Sequence, residues 1–397
     1  MGYLLQILKL TWAMRKLYLF VAILISICVP RSKKIWVFGE NELSVLEPLF
    51  KYSSSKNDGI KKFYICNDER KISKLNSKGF NALNSDSFLS YYYISRAKLH
   101  FICKSKLTDL HNYLSQRAIK INLFHGTPLK AIGLACVKNR ENKIFRFFNK
   151  QRLNKLKKRY SKYRFLCATS PFTRQIYSKC FGIDEKSLKL LGHPRNDLIA
   201  NRSTNRKFIS KNIGIDICNY SMVFSYMPTW RKDIWNNKIN FNALNKFLSS
   251  KNAILYIRPH HLDASFENFK GYSNILITEY GNKPSHDAHC DLLGTDVLIS
   301  DYSSLIHDFL LTNRPIIIYT PDYNTYKKTT KFSVDYETNI PIKAATKFDD
   351  LIKNMADVSM NKYDYGKYKR LLDKYHSYQD ADSTARLYRE IKDICSS

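Results

Sequence analysis

Histidine, arginine and serine recur in short polar turns, each placed just behind an apolar run. His125-Gly126-Thr127-Pro128-Leu129-Lys130 follows Ile-Asn-Leu-Phe. Glycine lets the backbone approach a ligand, Lys130 suits a phosphate, and an imidazole at a strand tip is placed to act as a general base. Alone, the same turn fits a purely structural histidine. Gly192-His193-Pro194-Arg195-Asn196-Asp197 offers a guanidinium suited to bidentate phosphate or carboxylate contact. Pro228-Thr229-Trp230-Arg231 and Arg258-Pro259-His260-His261 stand behind two further runs. Ser170-Pro171 is explained by helix initiation, a cap followed by proline.

The densest cluster is VLISDYSSLIHDF, residues 297–309. An apolar strand delivers Asp301, Tyr302, Ser303 and Ser304, and a helix begins with Leu305, Ile306 and Phe309 toward the core. Hydroxyls and unpaired N–H groups at a helix start make an anion site without glycines. The competing reading is that Ser303 is only a cap. The sequence has no G-x-x-x-x-G-K-[ST], G-x-G-x-x-G or G-x-S-x-G, which removes the usual support for ATP hydrolysis, dinucleotide redox chemistry and serine hydrolysis.

The elements that must hold these turns are short strands. Apolar runs at 35–38, 63–66, 99–103, 121–124, 165–168, 222–226, 254–257, 275–277, 297–300 and 316–319 alternate with helix-length segments. Such alternation predicts parallel sheets with crossover helices. Ten strands divide into two doubly wound domains, and the polar stretch 201–212 is the natural break, giving domains 33–205 and 206–397. Two such domains are expected to face a cleft, with ligands at the carboxyl ends of the strands.

With 397 residues, 44% hydrophobic and 25% charged, the chain has the composition of a globular protein, which argues against disorder, collagen or a polytopic membrane protein. Its charge is not ordinary: 65 Lys plus Arg against 34 Asp plus Glu leaves +31, which calls for an anionic partner. Nine cysteines without a C-x-x-C pair read as reduced thiols. His286, Asp287, His289, Cys290 and Asp291 lie close together, but their spacing is not that of a zinc module, and no metal site is expected.

Two segments suit an anionic membrane surface. No acidic residue precedes Glu40, and residues 17–29 form an uninterrupted apolar run ending at Pro30. As a helix that run would reach roughly 20 Å, short of the roughly 30 Å hydrocarbon core, so residues 1–32 are expected to lie in the interface. Residues 138–164 hold twelve Lys or Arg against one acid, Glu141, with Ile144, Phe147, Phe148 and Leu156 interleaved. They read as a basic helical insert.

Taken in order, HGTPLK, the Ser-Pro-Phe turn, GHPRND, PTWR, R-P-H and SDYSSLIHDF followed by RPIIIY resemble the CDP-glycerol glycerophosphotransferase family, the primases and polymerases of wall teichoic acid and related capsule polymerases. The resemblance covers roughly residues 33 to 345. It implies a GT-B-like pair of Rossmann domains, peripheral attachment at the cytoplasmic face of the membrane, and transfer of a polyol phosphate from a CDP-activated donor to an acceptor hydroxyl with release of CMP. It also implies that His125 is the catalytic base and that His260 is a second essential histidine. Arg258, Ser303 and Ser304 become donor pyrophosphate ligands, Asp301 and Asp308 shape that site, and Thr229, Arg231 and Arg195 line the cleft beside Gly126, Thr127 and Lys130. The family more often has an aromatic residue where this chain has His193. The partners implied are CDP-glycerol or another CDP-polyol, a lipid-linked acceptor or growing polymer, and an anionic membrane; no cofactor is implied beyond the substrate itself. Two alternatives stand beside this reading: a GT-B glycosyltransferase using a nucleotide sugar, and a membrane-tethered basic RNA-binding or scaffold protein acting through 138–164.

Overall fold

The computed structural model describes residues 20–24, 26–40, 44–104, 109–137, 145–164, 167–229, 231, 239–259, 271–278 and 287–396. Among these, eleven strands form two sheets. The first contains β1 (Ser32–Gly39), β2 (Lys61–Cys66), β3 (Ala82–Asn84), β4 (Ala97–Ile102), β5 (Ile119–Asn122) and β6 (Tyr163–Arg164) in the order β3-β2-β1-β4-β5-β6. The second contains β7 (Met222–Tyr226), β8 (Ala253–Ile257), β9 (Ile275–Ile277), β10 (Val297–Ser300) and β11 (Ile316–Ile318) in the order β11-β10-β7-β8-β9. Every pairing is parallel.

Parallel neighbours cannot be joined by tight hairpins, so helices fill the connections. In both sheets the strand order reverses beside the first strand, between β1 and β4 and between β7 and β10. That reversal leaves a crevice at the carboxyl ends, the usual ligand position in doubly wound sheets.

The strands read as unbroken apolar runs because both faces are covered. In the second sheet, Val223, Ile254, Tyr256, Leu298, Ile316 and Ile318 enter one core, and their neighbours Phe224, Leu255, Ile257, Val297, Ile299 and Ile317 enter the other. The first sheet is centred on aromatics: the Phe38 and Phe101 rings stack at 4.3 Å, and Trp36 and Tyr64 are fully buried.

Contacts divide the chain into two units, one of residues 1–125, 158–167 and 384–397, the other of 126–157 and 168–383. A single cut near 205 therefore does not describe the division. The C-terminal helix α1 (Ser383–Ser396) lies almost wholly in the first unit: Leu387 and Ile391 are buried, the Tyr388 ring lies 6.1 Å from that of Trp36, and its hydroxyl donates to Asp58 at 2.6 Å. An amphipathic stripe shows that a helix must pack, but not on which sheet. β3, too short and polar to stand out in the sequence, was not expected. The run at 165–168 contributes β6 two residues early, with residues 165 and 166 outside the described part, and Ala168 bridges Leu190 in parallel.

Residues 20–24 and 26–28 are helical. Residues 1–19 lie outside the described part, and among the described residues no helix is long and apolar enough to cross a membrane. Phe20, Val21, Leu24 and Ile27, spaced along one helical face, are exposed. Arg31 ties the end of this segment to the first unit, donating to Ser26 Oγ at 2.8 Å and to the carbonyl oxygens of Ala97 and Leu114 at 3.2 and 2.8 Å.

Candidate active site

The carboxyl ends of β7 and β10 bring together the residues expected at the switch point of the second sheet. Asp301, fully buried behind β10, accepts the N–H of Thr229 at 2.9 Å and Nη1–H of Arg231 at 2.6 Å. Arg231 also donates to Thr229 O at 2.8 Å and to Asp322 Oδ1 at 2.9 Å, while its guanidinium lies 5.0 Å from the centre of the Tyr302 ring. Burial opposes the Arg231 charge, but the carboxylates of Asp301 and Asp322 outweigh it and raise the pKa further. Arg231 is thus spent on shaping the turn that carries Thr229. Asp322, just behind β11, was not singled out in the sequence, although it occupies the same carboxyl-end position as the others.

Gly126 lies at the other side of this edge. Its φ is +118°, and a β-carbon there would stand 3.2 Å from Arg195 Nη2, 3.7 Å from Asp308 Oδ2 and 3.8 Å from Ser304 Oγ. Only glycine takes this backbone shape without strain, and it also clears the space over the guanidinium. The residues that follow Gly126 are pinned in the same unit: Ser333 N–H donates to Leu129 O at 2.9 Å, Ala131 N–H donates to Lys331 O at 2.8 Å, and Thr127 is buried. Lys130 is half-buried; burial lowers its pKa, Asp301 opposes the shift and Arg231 adds to it.

Asp308 is the hub beneath Gly126. Its Oδ2 accepts from Arg195 Nη2–H at 3.1 Å and its Oδ1 from Asn196 Nδ2–H at 3.0 Å. His289 bridges onward, with Nε2 3.1 Å from Asp308 Oδ2 and Nδ1 2.9 Å from Asp287 Oδ1. Burial pushes the Asp308 carboxyl up, but the hydrogen bond with His289 and the Arg195 charge outweigh it and hold it well below the usual carboxylate range. Asp287 is held low by the same balance of burial against His289 and Arg195. Asp287 and His289 had drawn notice only as part of a cluster with metal-like residue types. Their geometry links Asp287, His289 and Asp308 by hydrogen bonds.

The serine-rich turn behaves differently from a simple cap. Ser303 Oγ accepts the N–H of Leu305 at 3.3 Å, whereas Ser304 holds the cap position of the helix Leu305–Phe309 without a side-chain cap bond. The Ser304 hydroxyl lies 3.8 Å from where a β-carbon on Gly126 would stand. At the end of β8, Arg258 pairs with fully buried Asp291, which also accepts from Tyr256 Oη–H at 2.9 Å. Burial opposes the Arg258 charge and Asp291 more than restores it, so its pKa is raised. His260 and His261, and so the expected second histidine, lie outside the described residues.

His125 ends the first stretch of the first unit, behind β5. Its Nδ1 lies 3.2 Å from the carbonyl oxygen of Cys103, and its ring centre is 4.0 Å from that of Phe124. A carbonyl only accepts, so this bond places the hydrogen on Nδ1 and leaves Nε2 as the basic nitrogen.

Of the residues expected from sequence, the structure gathers Gly126, Arg195, Ser304 and Asp308 in one cluster and Thr229, Arg231 and Asp301 in another on the same sheet edge; Arg258 stands apart on its own carboxylate.

The family described as CDP-Glycerol:Poly(glycerophosphate) glycerophosphotransferase matches residues 30–393. The chain is similar to the teichoic acid poly(glycerol phosphate) polymerase of Staphylococcus epidermidis, 26% identical over 69% of this chain and 38% of that protein. It is also similar to the polymerase of the same description from Bacillus spizizenii, 25% identical over 79% of this chain and 80% of that one. The chain thus spans well under half the length of the first relative and four fifths of the second. Among solved structures, the wall teichoic acid polymerase TagF superposes with a TM-score of 0.74 at 20% identity, over 92% of this chain and 90% of that one, which establishes a shared fold. The match across nearly the whole sequence, carried on two parallel doubly wound sheets, makes this chain a member of the CDP-glycerol:poly(glycerophosphate) glycerophosphotransferase family.

Proposed function

We propose that the chain transfers glycerol phosphate from CDP-glycerol to the hydroxyl of a membrane-linked acceptor or growing polyol-phosphate polymer, releasing CMP, in the synthesis of teichoic-acid-like or capsule polymer. The observation that carries this reading is the placement of Gly126. It follows the strand-tip imidazole directly in the chain and lies against Arg195, Ser304 and Asp308 at the carboxyl edge of the second sheet.

In the proposed reaction the acceptor oxygen attacks the phosphorus that bears glycerol. A new P–O bond forms, the bond from that phosphorus to the CMP oxygen breaks, and the acceptor proton passes to His125 Nε2 before leaving to solvent. A neutral hydroxyl is a poor nucleophile at neutral pH, and a positioned base supplies typically 10²–10⁴-fold, roughly, by proton removal. CMP leaves with growing negative charge. Arg258, the Ser303 and Ser304 hydroxyls and backbone N–H groups are the donor pyrophosphate ligands in this scheme, and His260 is the second histidine. Asp301 and Asp308 hold the surrounding turns through their ion pairs with Arg231 and Arg195, and Thr229 lines the site. The scheme uses no metal step and no cofactor beyond the CDP-polyol.

A lipid-linked acceptor requires an enzyme held at the cytoplasmic face of the membrane. Exposed Phe20, Val21, Leu24 and Ile27 supply an apolar face beside basic Lys33 and Lys34, and exposed Lys150, Arg152, Lys155, Lys157 and Lys158 add positive charge facing solvent. Incubation with lipid-linked acceptor and either CDP-glycerol, CDP-ribitol or a UDP-sugar tests the reading. Growth of the product by glycerol phosphate with CMP release supports it, and UDP release with sugar transfer assigns the chain to glycosyl transfer instead.

A further inference from the structure

Three residues before His125, Asn122 is buried and polar and is hydrogen-bonded at both ends of its amide, although it does not meet substrate in the proposed transfer. Asn122 closes β5 at 1% exposure, on the strand face it shares with buried Lys120. A buried amide is costly unless its hydrogen bonds are made. Those of Asn122 are: Oδ1 accepts the N–H of Phe124 at 2.9 Å, and Nδ2–H donates to the carbonyl oxygen of Lys104 at 2.7 Å.

Each partner belongs to the support of His125. Phe124 has φ +55°, a left-handed backbone that a bulky residue rarely adopts, and it turns the chain immediately before the imidazole. Cys103 and Lys104 form the turn behind β4. Their N–H groups both donate to Asp109 Oδ2, at 3.0 and 2.9 Å, and the Cys103 carbonyl is the acceptor for His125 Nδ1. The side chain of Asn122 is thus one clamp between the turn that fixes the ring's tautomer and the strained residue that aims it.

We infer that Asn122 is a positioning residue for His125: by joining Lys104 O to Phe124 N–H it presents the imidazole as the Nδ1–H tautomer with Nε2 turned to the acceptor hydroxyl. The inference rests on His125 being the general base. Alanine at 122 removes both bonds, while Asn122→Asp keeps the acceptor for Phe124 and loses the donor to Lys104.

Steady-state kinetics with CDP-glycerol and acceptor, checked by thermal unfolding, test it. Asn122→Ala should lower kcat about ten- to hundredfold, as a small misplacement of a reacting group does, with KM for CDP-glycerol within about twofold. The acid limb of the kcat pH profile should move as well, which a loss of folded enzyme alone does not produce. Asn122→Asp should fall between it and the parent. A folded variant of either kind with parental kcat and an unmoved pH profile overturns the inference, provided His125→Ala is inactive. If His125→Ala itself keeps parental turnover, the base reading fails and the inference falls with it. Histidine ¹⁵N NMR of the unaltered protein, assigned against His125→Asn, gives a readout that needs no Asn122 variant. Protonation at Nδ1 is expected, and protonation at Nε2 overturns the inference.

Discussion

Gly126 and Arg195 are matched in shape: the hydrogen-only side of the glycine faces the guanidinium, and a methyl group there would stand 3.2 Å from Nη2. Gly126→Ala therefore has two faults, a crowded cation and a β-carbon on a backbone at φ +118°. Turnover should fall about ten- to hundredfold, since sub-ångström displacement of a site loop is enough to misalign reacting groups. Kinetics with a parallel unfolding curve separates this from loss of folded protein, and a folded variant with parental turnover contradicts it.

Removing the Asp308 carboxylate breaks the buried ion pair with Arg195 and takes an acceptor from His289. Asp308→Ala should cost about 3–5 kcal/mol, the usual penalty for breaking a buried ion pair on one side. The sign of the pH dependence follows from the depressed folded pKa of Asp308. Its stabilisation is present above the ordinary carboxylate pKa of about 4 and is lost as pH falls below that toward the folded value. Urea unfolding of Asp308→Asn should accordingly be less sensitive to acid below about pH 4 than that of the parent; equal sensitivity contradicts the assignment.

Much of this was legible in the sequence, for a physical reason. Strands buried on both faces are largely apolar, so β7, β8 and β10 stand out as runs, and the residues directly behind them, Thr229, Arg258 and Ser304, stand at the carboxyl edge as the spacing implied. Partners that act through tertiary contact left no such mark. Asp322 and His289 are polar residues among many until the fold sets one against Arg231 and the other between two carboxylates. Arg231 itself carries the residue type of a phosphate ligand, and only the structure shows its donors taken up by Asp301, Asp322 and Thr229 O. The return of the C-terminal helix to the first sheet was likewise hidden, because amphipathicity names a face and not its destination.

His307 is fully buried, stacks on Tyr375 at 3.9 Å between ring centres, and neither ring nitrogen has a hydrogen-bond partner among the described residues. Burial lowers its pKa to about 3. The folded ring thus stays neutral while the unfolded one takes up a proton near pH 6.5, so stability present above about 6.5 is lost progressively as pH falls toward 3. His307→Phe keeps the stacking and removes the unpaired N–H, and should gain about 1 kcal/mol at pH 7. Thermal unfolding at pH 7 and pH 5 should show the gain widening with acid; a variant less stable than the parent at both contradicts this account.

CMP release from CDP-glycerol in the presence of a lipid-linked acceptor, compared between the parent chain and His125→Ala, tests the central claim most directly. The parent should release CMP as the acceptor gains glycerol phosphate, and the variant should fold normally while losing at least about a hundredfold in rate, as expected for a missing general base. Parental turnover by folded His125→Ala, or no acceptor-dependent CMP release by the parent, would contradict it.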